Sequence, residues 1–190
     1  MTLDSKARSA ALMRAAQSAL LLVDIQERLL PAIAAQDRVL ANASRLLVGA
    51  RRLEVPVMAT EHCPQAIGGS VPALRQGLAP KEVYRKTHFS AAEEPAFVAR
   101  VAAVGRRQWI LAGTEAHVCL LQTALGLRAL DYEVFVVGDA MGSRVEANHQ
   151  AALVRLQAAG CIPVTTEMVL FEWLHHAGNA AFKEVLGLIK

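Results

Sequence analysis

The sequence predicts an α/β fold, a three-layer α/β/α sandwich around a doubly wound six-stranded parallel sheet. Three observations lead there. Short apolar runs of strand length alternate with amphipathic segments of helix length. Runs such as Ala19-Leu-Leu-Leu-Val23 and Val134-Phe-Val-Val137 are apolar at every position, so both faces of the strand need cover. The composition, 54% hydrophobic but only 5% aromatic, suits helices packed on a sheet better than a disulfide-stapled or disordered chain.

The elements follow in order. Residues 1–17 read as an N-terminal extension, basic through Lys6, Arg8 and Arg14. Asp4 and the direct continuation into core sequence favour a short helical extension over a transit peptide. The first strand, Ala19 to Val23, is too short for a signal core or a membrane span and ends at Asp24. Gln36 to Leu53 carries Val39, Leu40, Leu46 and Leu47 at helical spacing. Strands are predicted at Val55–Thr60, Glu82–Tyr84, Trp109–Ala112, Glu133–Val137 and Cys161–Thr165, and further helices at Glu94–Val104, Val118–Leu130 and Glu146–Ala159. Gly105, Gly138 and Gly160 punctuate element ends, and Pro56, Pro95 and Pro163 sit near element starts, where a missing N–H is tolerated. The stretch 61–80, rich in Gly and Pro, is the longest irregular piece, of a length that suggests a lid or a subunit contact. The tail Glu167–Lys190 places Phe171, Trp173, Leu174, Phe182 and Leu186 at roughly helical spacing, as terminal packing or a subunit contact.

A chain of 190 residues fits one domain, here 1–190. The net charge is only +3 and the basic residues are dispersed, which argues against a nucleic-acid partner. Cys63, Cys119 and Cys161 make an odd count without C-x-x-C spacing, which argues against a disulfide framework and a zinc knuckle and for a reducing, cytoplasmic home. His62, His88 and His117 form no H-x-H or H-E-x-x-H pattern, so no metal and no cofactor are expected. The apolar tail and long loop suggest a homo-oligomer, and no membrane partner is expected.

In an open parallel sheet the ligand crevice lies beyond the carboxyl ends of the strands, where strand order reverses. With the order 3-2-1-4-5-6, the first and fourth strands flank that reversal, and Asp24 and Cys119 converge there with Lys86 reaching in. The run Ile110-Leu-Ala-Gly-Thr-Glu-Ala-His-Val-Cys119 breaks at Gly113 and hands a cysteine to a helix start, where unpaired N–H groups ease loss of the thiol proton. Asp24 would take that proton, and the Lys86 ammonium would offset the repulsion between carboxylate and thiolate. Each residue also has a plainer reading: Cys119 as core packing, Asp24 with Glu27 as a helix capping box, Lys86 as solvated surface. Their joint placement favours a small-molecule site. Gln26, His62, His88, Phe89 and His117 are the candidate pocket residues around it, while Asp139 and Ser143 read as turn and cap residues.

These residues resemble the isochorismatase-like cysteine hydrolase superfamily, especially its isochorismatase-domain-containing subgroup. The resemblance rests on Leu-Leu-Val-Asp24-Ile-Gln26, Thr60-Glu-His-Cys-Pro64 with Gly68, Lys86-Thr-His-Phe89-Ser90, Gly113-Thr-Glu-Ala-His-Val-Cys119 with Gln122-Thr123, and Val-Val-Gly-Asp139-Ala with Ser143-Arg144. It also takes in the stretch from His149 through Gly160 to Thr-Thr-Glu167. It implies that Cys119 attacks a carbonyl, Asp24 moves protons and Lys86 stabilises the ionised states. It further implies a cis peptide between Thr114 and Glu115, with the Glu115 and Cys119 N–H groups as an oxyanion hole. Glu61-His-Cys-Pro64 does not reproduce the metal cluster of nicotinamidases, so nicotinamide is disfavoured as a substrate. Retention of the cysteine favours a metal-independent hydrolase acting on a small amide, ureide or ester through a thioester, over vinyl-ether cleavage of the isochorismatase type. A catalytically silent interaction protein on the same fold is the further alternative. A dinucleotide-dependent oxidoreductase is disfavoured because Asp24-Ile-Gln-Glu-Arg-Leu lacks G-x-G-x-x-G.

Overall fold

Six parallel strands form one sheet in the order β3-β2-β1-β4-β5-β6, in a computed structural model that describes residue 9 and residues 11–190. The helical extension expected over residues 1–17 lies largely outside the described residues, and Ala15–Gln17 is a short 3-10 turn. The elements run β1 (Ser18–Val23), α1 (Gln36–Arg52), β2 (Val57–His62), α2 (Pro64–Ile67), α3 (Pro72–Arg75), β3 (Val83–Lys86), α4 (Pro95–Val104) and β4 (Gln108–Thr114). A π-helical turn (Ala116–Leu120) leads into α5 (Leu121–Ala129), then β5 (Glu133–Gly142), α6 (Glu146–Ala158), β6 (Ile162–Val164), α7 (Thr166–Leu174) and α8 (Phe182–Leu188).

The strand period of two explains the layers. Leu20 and Leu22 of β1, with Ile110, Ala112, Phe135 and Val137, face a core closed by α1, α7 and α8. Ala19, Leu21 and Val23, with Trp109, Leu111, Val134 and Val136, face the opposite core closed by α4, α5 and α6. Every residue of β1 is buried, as a strand with helices on both sides must be. The tail belongs to this packing: Trp173, Leu174 and Val185 are buried in the core against α1 and β5.

Several boundaries differ from the sequence expectation for identifiable reasons. β5 continues to Gly142 because its pairing with β4 slips between Leu111 and Gly113, so that Gly113 faces Met141. The stretch 61–80 is not a free lid. It holds α2 and α3, each with Pro in its first turn, and it is strapped to the segment after β1. Glu27 N–H donates to Gly69 O, Arg28 N–H to Ile67 O and Val71 N–H to Ile25 O, while Gln26 bridges Ser70. No helix begins at Asp24, so the Asp24–Glu27 capping box does not form.

Candidate active site

Asp24, Lys86 and Cys119 come together where strand order reverses. Asp24 follows β1 with φ of +53°, a left-handed conformation that Asp tolerates better than most residues. Its backbone is pinned there. Asp24 N–H donates to Thr60 O at 3.2 Å, and its carbonyl accepts from Gln26 N–H at 3.0 Å and Thr114 Oγ1 at 2.5 Å. The carboxylate is fully buried, and Oδ1 accepts a hydrogen bond from Thr60 Oγ1 at 2.7 Å.

Lys86 is the last residue of β3, in register with His62, and alternation along the strand turns it inward while Arg85 points to solvent. Its Nζ lies 2.7 Å from Asp24 Oδ2, with both side chains at 0% exposure. It also donates to His88 O at 3.2 Å and Phe89 O at 3.1 Å. A buried ammonium needs such a shell, because two ions withdrawn from water are tolerated only when paired and otherwise hydrogen-bonded. Oδ2 has no partner of hydrogen-bonding geometry, only the ion-pair contact, so a lone pair remains to receive a proton.

Cys119 reaches the pair from the other side of the reversal. Gly113 permits this, because β4 runs so close to β1 that a Cβ there would sit 2.1 Å from Val23 O, and its φ of +152° disfavours other residues. Beyond it Glu115 adopts φ +48° and ψ +61° and sends the chain into the π-helical turn that carries Cys119. Among the described residues every peptide bond is trans, so the cis peptide implied between Thr114 and Glu115 is not formed; the left-handed Glu115 makes the turn instead.

The thiol does not ionise more easily, contrary to the expectation from a helix start. It is pushed up to about 12, first by burial and then by the nearby Asp24 carboxylate, with Lys86 pulling the other way. The resting site is therefore a neutral thiol beside a carboxylate–ammonium pair. Cys161, read as core, is buried and its thiol is raised to about 11, again by burial.

The candidate pocket residues divide. Gln26 is fully buried and its amide is consumed in structure: Nε2 donates to His62 O and Gly68 O, and Oε1 accepts from His62 N–H. His88 turns outward to Glu94, with Nδ1 2.9 Å from its Oε1. Phe89, 53% exposed, stacks on His62 with ring centroids 5.3 Å apart, beside the carbonyls that hold Lys86. His117 Nδ1 lies 3.0 Å from Ser143 Oγ and 3.2 Å from Glu115 Oε2, and Arg144 Nε donates to Glu115 Oε1 at 2.6 Å. Asp139 lies inside β5 rather than beyond it, and its Oδ1 accepts from Thr166 N–H and Oγ1 at the start of α7, so, contrary to expectation, it does not cap α6, the helix that follows β5.

Thr60 and Thr114, which grip Asp24, were not singled out in the sequence. The signal that would have found them is a polar residue closing the apolar run of each strand beside β1, Thr60 after Val57–Ala59 and Thr114 at the end of β4. Among the described residues, no group of three or more His, Cys, Asp or Glu side chains is placed to hold a metal ion. No described helix is long and apolar enough to cross a membrane.

Comparison with known proteins agrees with this architecture. The isochorismatase domain matches residues 18–168. Isochorismatase domain-containing protein 2 of Danio rerio is 38% identical over 173 residues, covering 90% of this chain and 86% of that protein. The chain spans only 59% of the length of the domain-containing protein 1 relatives of Danio rerio and Salmo salar. The MAR1 ribonuclease of Caenorhabditis elegans superposes with a TM-score of 0.89 at 33% identity, covering 94% of this chain and 92% of that one. YcaC of Escherichia coli, described as an octameric hydrolase of unknown specificity, gives 0.89 at 26% identity, covering 95% and 92%. With a domain match over most of its length, the sheet order and these relatives, the chain belongs to the isochorismatase family and has that family's hydrolase fold.

Proposed function

We propose that the protein is a metal-independent cysteine hydrolase that cleaves a small amide, ureide or ester through a thioester at Cys119. The observation that carries this reading is the fully buried Asp24–Lys86 ion pair at 2.7 Å, whose two charges act on the Cys119 thiol. A neutral thiol at about 12 is a poor nucleophile, so its proton must leave as the sulfur attacks. Asp24 takes it through Oδ2. Lys86 holds the carboxylate in place at 2.7 Å, and charge on the carbonyl oxygen would be met by the Glu115 and Cys119 N–H groups at the head of the turn that the left-handed, trans-linked Glu115 opens. Asp24 then returns the proton to the departing amine or alkoxide, leaving the thioester. In the second half Asp24 deprotonates water, which attacks the thioester, and the acid departs as the thiol regains its proton.

By analogy with the octameric YcaC neighbour, the chain is proposed to act as a homo-oligomer. A reducing compartment such as the cytoplasm suits its three free thiols. The test is covalent trapping. The protein is mixed with p-nitrophenyl acetate and quenched in acid, and an acetyl adduct is expected on the Cys119 peptide alone, absent in Cys119→Ala. An adduct on Cys63 or Cys161 with turnover retained in Cys119→Ala would overturn the assignment. Because the worm neighbour is named a ribonuclease, a parallel arm with RNA is included: Cys119-dependent RNA cleavage without an acyl adduct would replace the acyl-transfer reading.

A further inference from the structure

A cavity of about 580 Å³ lies away from Cys119, against the edge strand β3, and is lined by Glu61, Arg75, Val83, Tyr84, Arg85 and Arg100 among others. Three guanidinium groups face one concave space that contains a single carboxylate. Among the described residues, Arg85 is the only one of the three with an acidic partner within 4 Å, Glu61 Oε2 at 3.8 Å. Arg100 is aimed by a hydrogen bond to Lys81 O at 3.1 Å and by its seat over the Tyr84 ring, 5.3 Å from the centroid. Glu61 is 3% exposed, and its Oε1 is locked by Ser70 N–H at 2.7 Å and Ser70 Oγ at 2.9 Å. A Cβ at Gly69 would stand 2.7 Å from Arg75 Nη1 and 3.3 Å from Glu61 Oε1, so the bare glycine leaves room for that guanidinium beside the carboxylate.

We propose that this cavity is a binding site for a compact polyanion, a small molecule bearing a phosphate, a diphosphate or several carboxylates. Three guanidiniums against one carboxylate leave a surplus of two positive charges, and a planar fork of donors matches phosphate and carboxylate oxygens bidentately. The volume fits a small molecule. A nucleic-acid strand fits less well, because it would need a free aromatic face for a base, and Tyr84 is covered by Arg100 and edged by Phe97 at 5.5 Å. Arg85 also lines a cavity of about 140 Å³ with Cys63, Thr87 and Glu94, on the opposite face of β3 from the buried Lys86 side chain. The site does not depend on the chemistry assigned to Cys119.

The experiment is calorimetric titration of the full chain with inorganic pyrophosphate at about 0.15 M salt, where loose surface attraction is screened. A saturable one-site isotherm is expected. Charge-assisted hydrogen bonds are lost in Arg100→Gln and Arg75→Gln, and each should weaken binding roughly tenfold or more. Arg52→Gln removes an exposed arginine paired with Glu184 elsewhere and should leave binding unchanged. Absence of saturable binding, or equal weakening in all three variants, would overturn the proposal. So would a change of oligomeric state in Arg100→Gln without pyrophosphate binding to the parent, because the cavity would then seat a second copy of the chain.

Discussion

Replacing Asp24 by Asn should make Cys119 more reactive toward a simple alkylating agent while removing turnover. In the parent site the carboxylate pushes the thiol upward and Lys86 pulls it down, with burial adding the largest upward push. Two unit charges about 4 Å apart at an effective dielectric near 20 interact by about 4 kcal/mol. Removing the negative one therefore lowers the thiol by roughly two to three units, a hundred- to thousandfold gain in thiolate at fixed pH. The same change strips Lys86 of its carboxylate partner in a site at 0% exposure, which costs about 3–5 kcal/mol of stability. The assay is the rate of iodoacetamide capture of Cys119, followed by intact-protein mass and peptide mapping from about pH 7 to 11, on variant confirmed as folded by near-UV circular dichroism. The alkylation profile should move to lower pH, and ester hydrolysis should fall by at least the roughly 10² expected of a lost general base. A profile that stays in place, or moves to higher pH, would refute the claim that Asp24 faces the sulfur.

Gly113→Ala should destabilise the protein by at least about 3 kcal/mol in urea denaturation and lower turnover with it, because the new Cβ meets Val23 O one residue before Asp24. Thr60→Val removes the hydroxyl that donates to the buried Asp24 carboxylate; a loss of about 1.5–3 kcal/mol in stability and a slower reaction are expected, with Thr60→Ser recovering most of both. Glu94 accepts from Thr87 N–H, His88 N–H and the His88 ring, tying down the turn whose carbonyls hold Lys86, so Glu94→Gln should slow turnover more than it raises KM. His88 is raised above 6.5 by its hydrogen bond to Glu94, and Glu94 is lowered from 4.5 to about 2 by the same partner. The pair is thus intact between these ordinary values, is lost at high pH as His88 deprotonates and at low pH as Glu94 protonates. Nuclear magnetic resonance titration of the His88 ring should show a midpoint above 6.5 that falls back in Glu94→Gln.

The layered fold was legible because residues 19–23, 109–112 and 134–137, the central runs of β1, β4 and β5, are apolar at every position, a pattern that a strand covered on both faces requires. Asp24 after β1, Lys86 at the end of β3 and Cys119 in the turn after β4 were legible as polar or nucleophilic residues near strand ends, and topology gathers such ends. The surroundings were less so, since they depend on which partner each polar group finds. Gln26 looked like a pocket residue but spends its amide on His62 and Gly68, and His88 turns to Glu94, whose competing attraction no local pattern records. The thiol went the other way from expectation because a helix-end field acts over one turn while burial acts on the whole group. The extension of β5 was hidden by Gly138 and Asp139, which read as a strand end although pairing resumes beyond them.

Three oxygens already surround the Lys86 ammonium, and two of them belong to consecutive peptides of the turn that displays the half-exposed Phe89 ring. The cation therefore has no free direction in which to greet a visitor and serves as a fixed field. The exposed ring and one of the carbonyls that steady this field are parts of one residue. A movement of residues 88–89 that shifts this ring also shifts the oxygens fixed on the buried ammonium, so a surface side chain and the ion pair are joined by a single stretch of main chain.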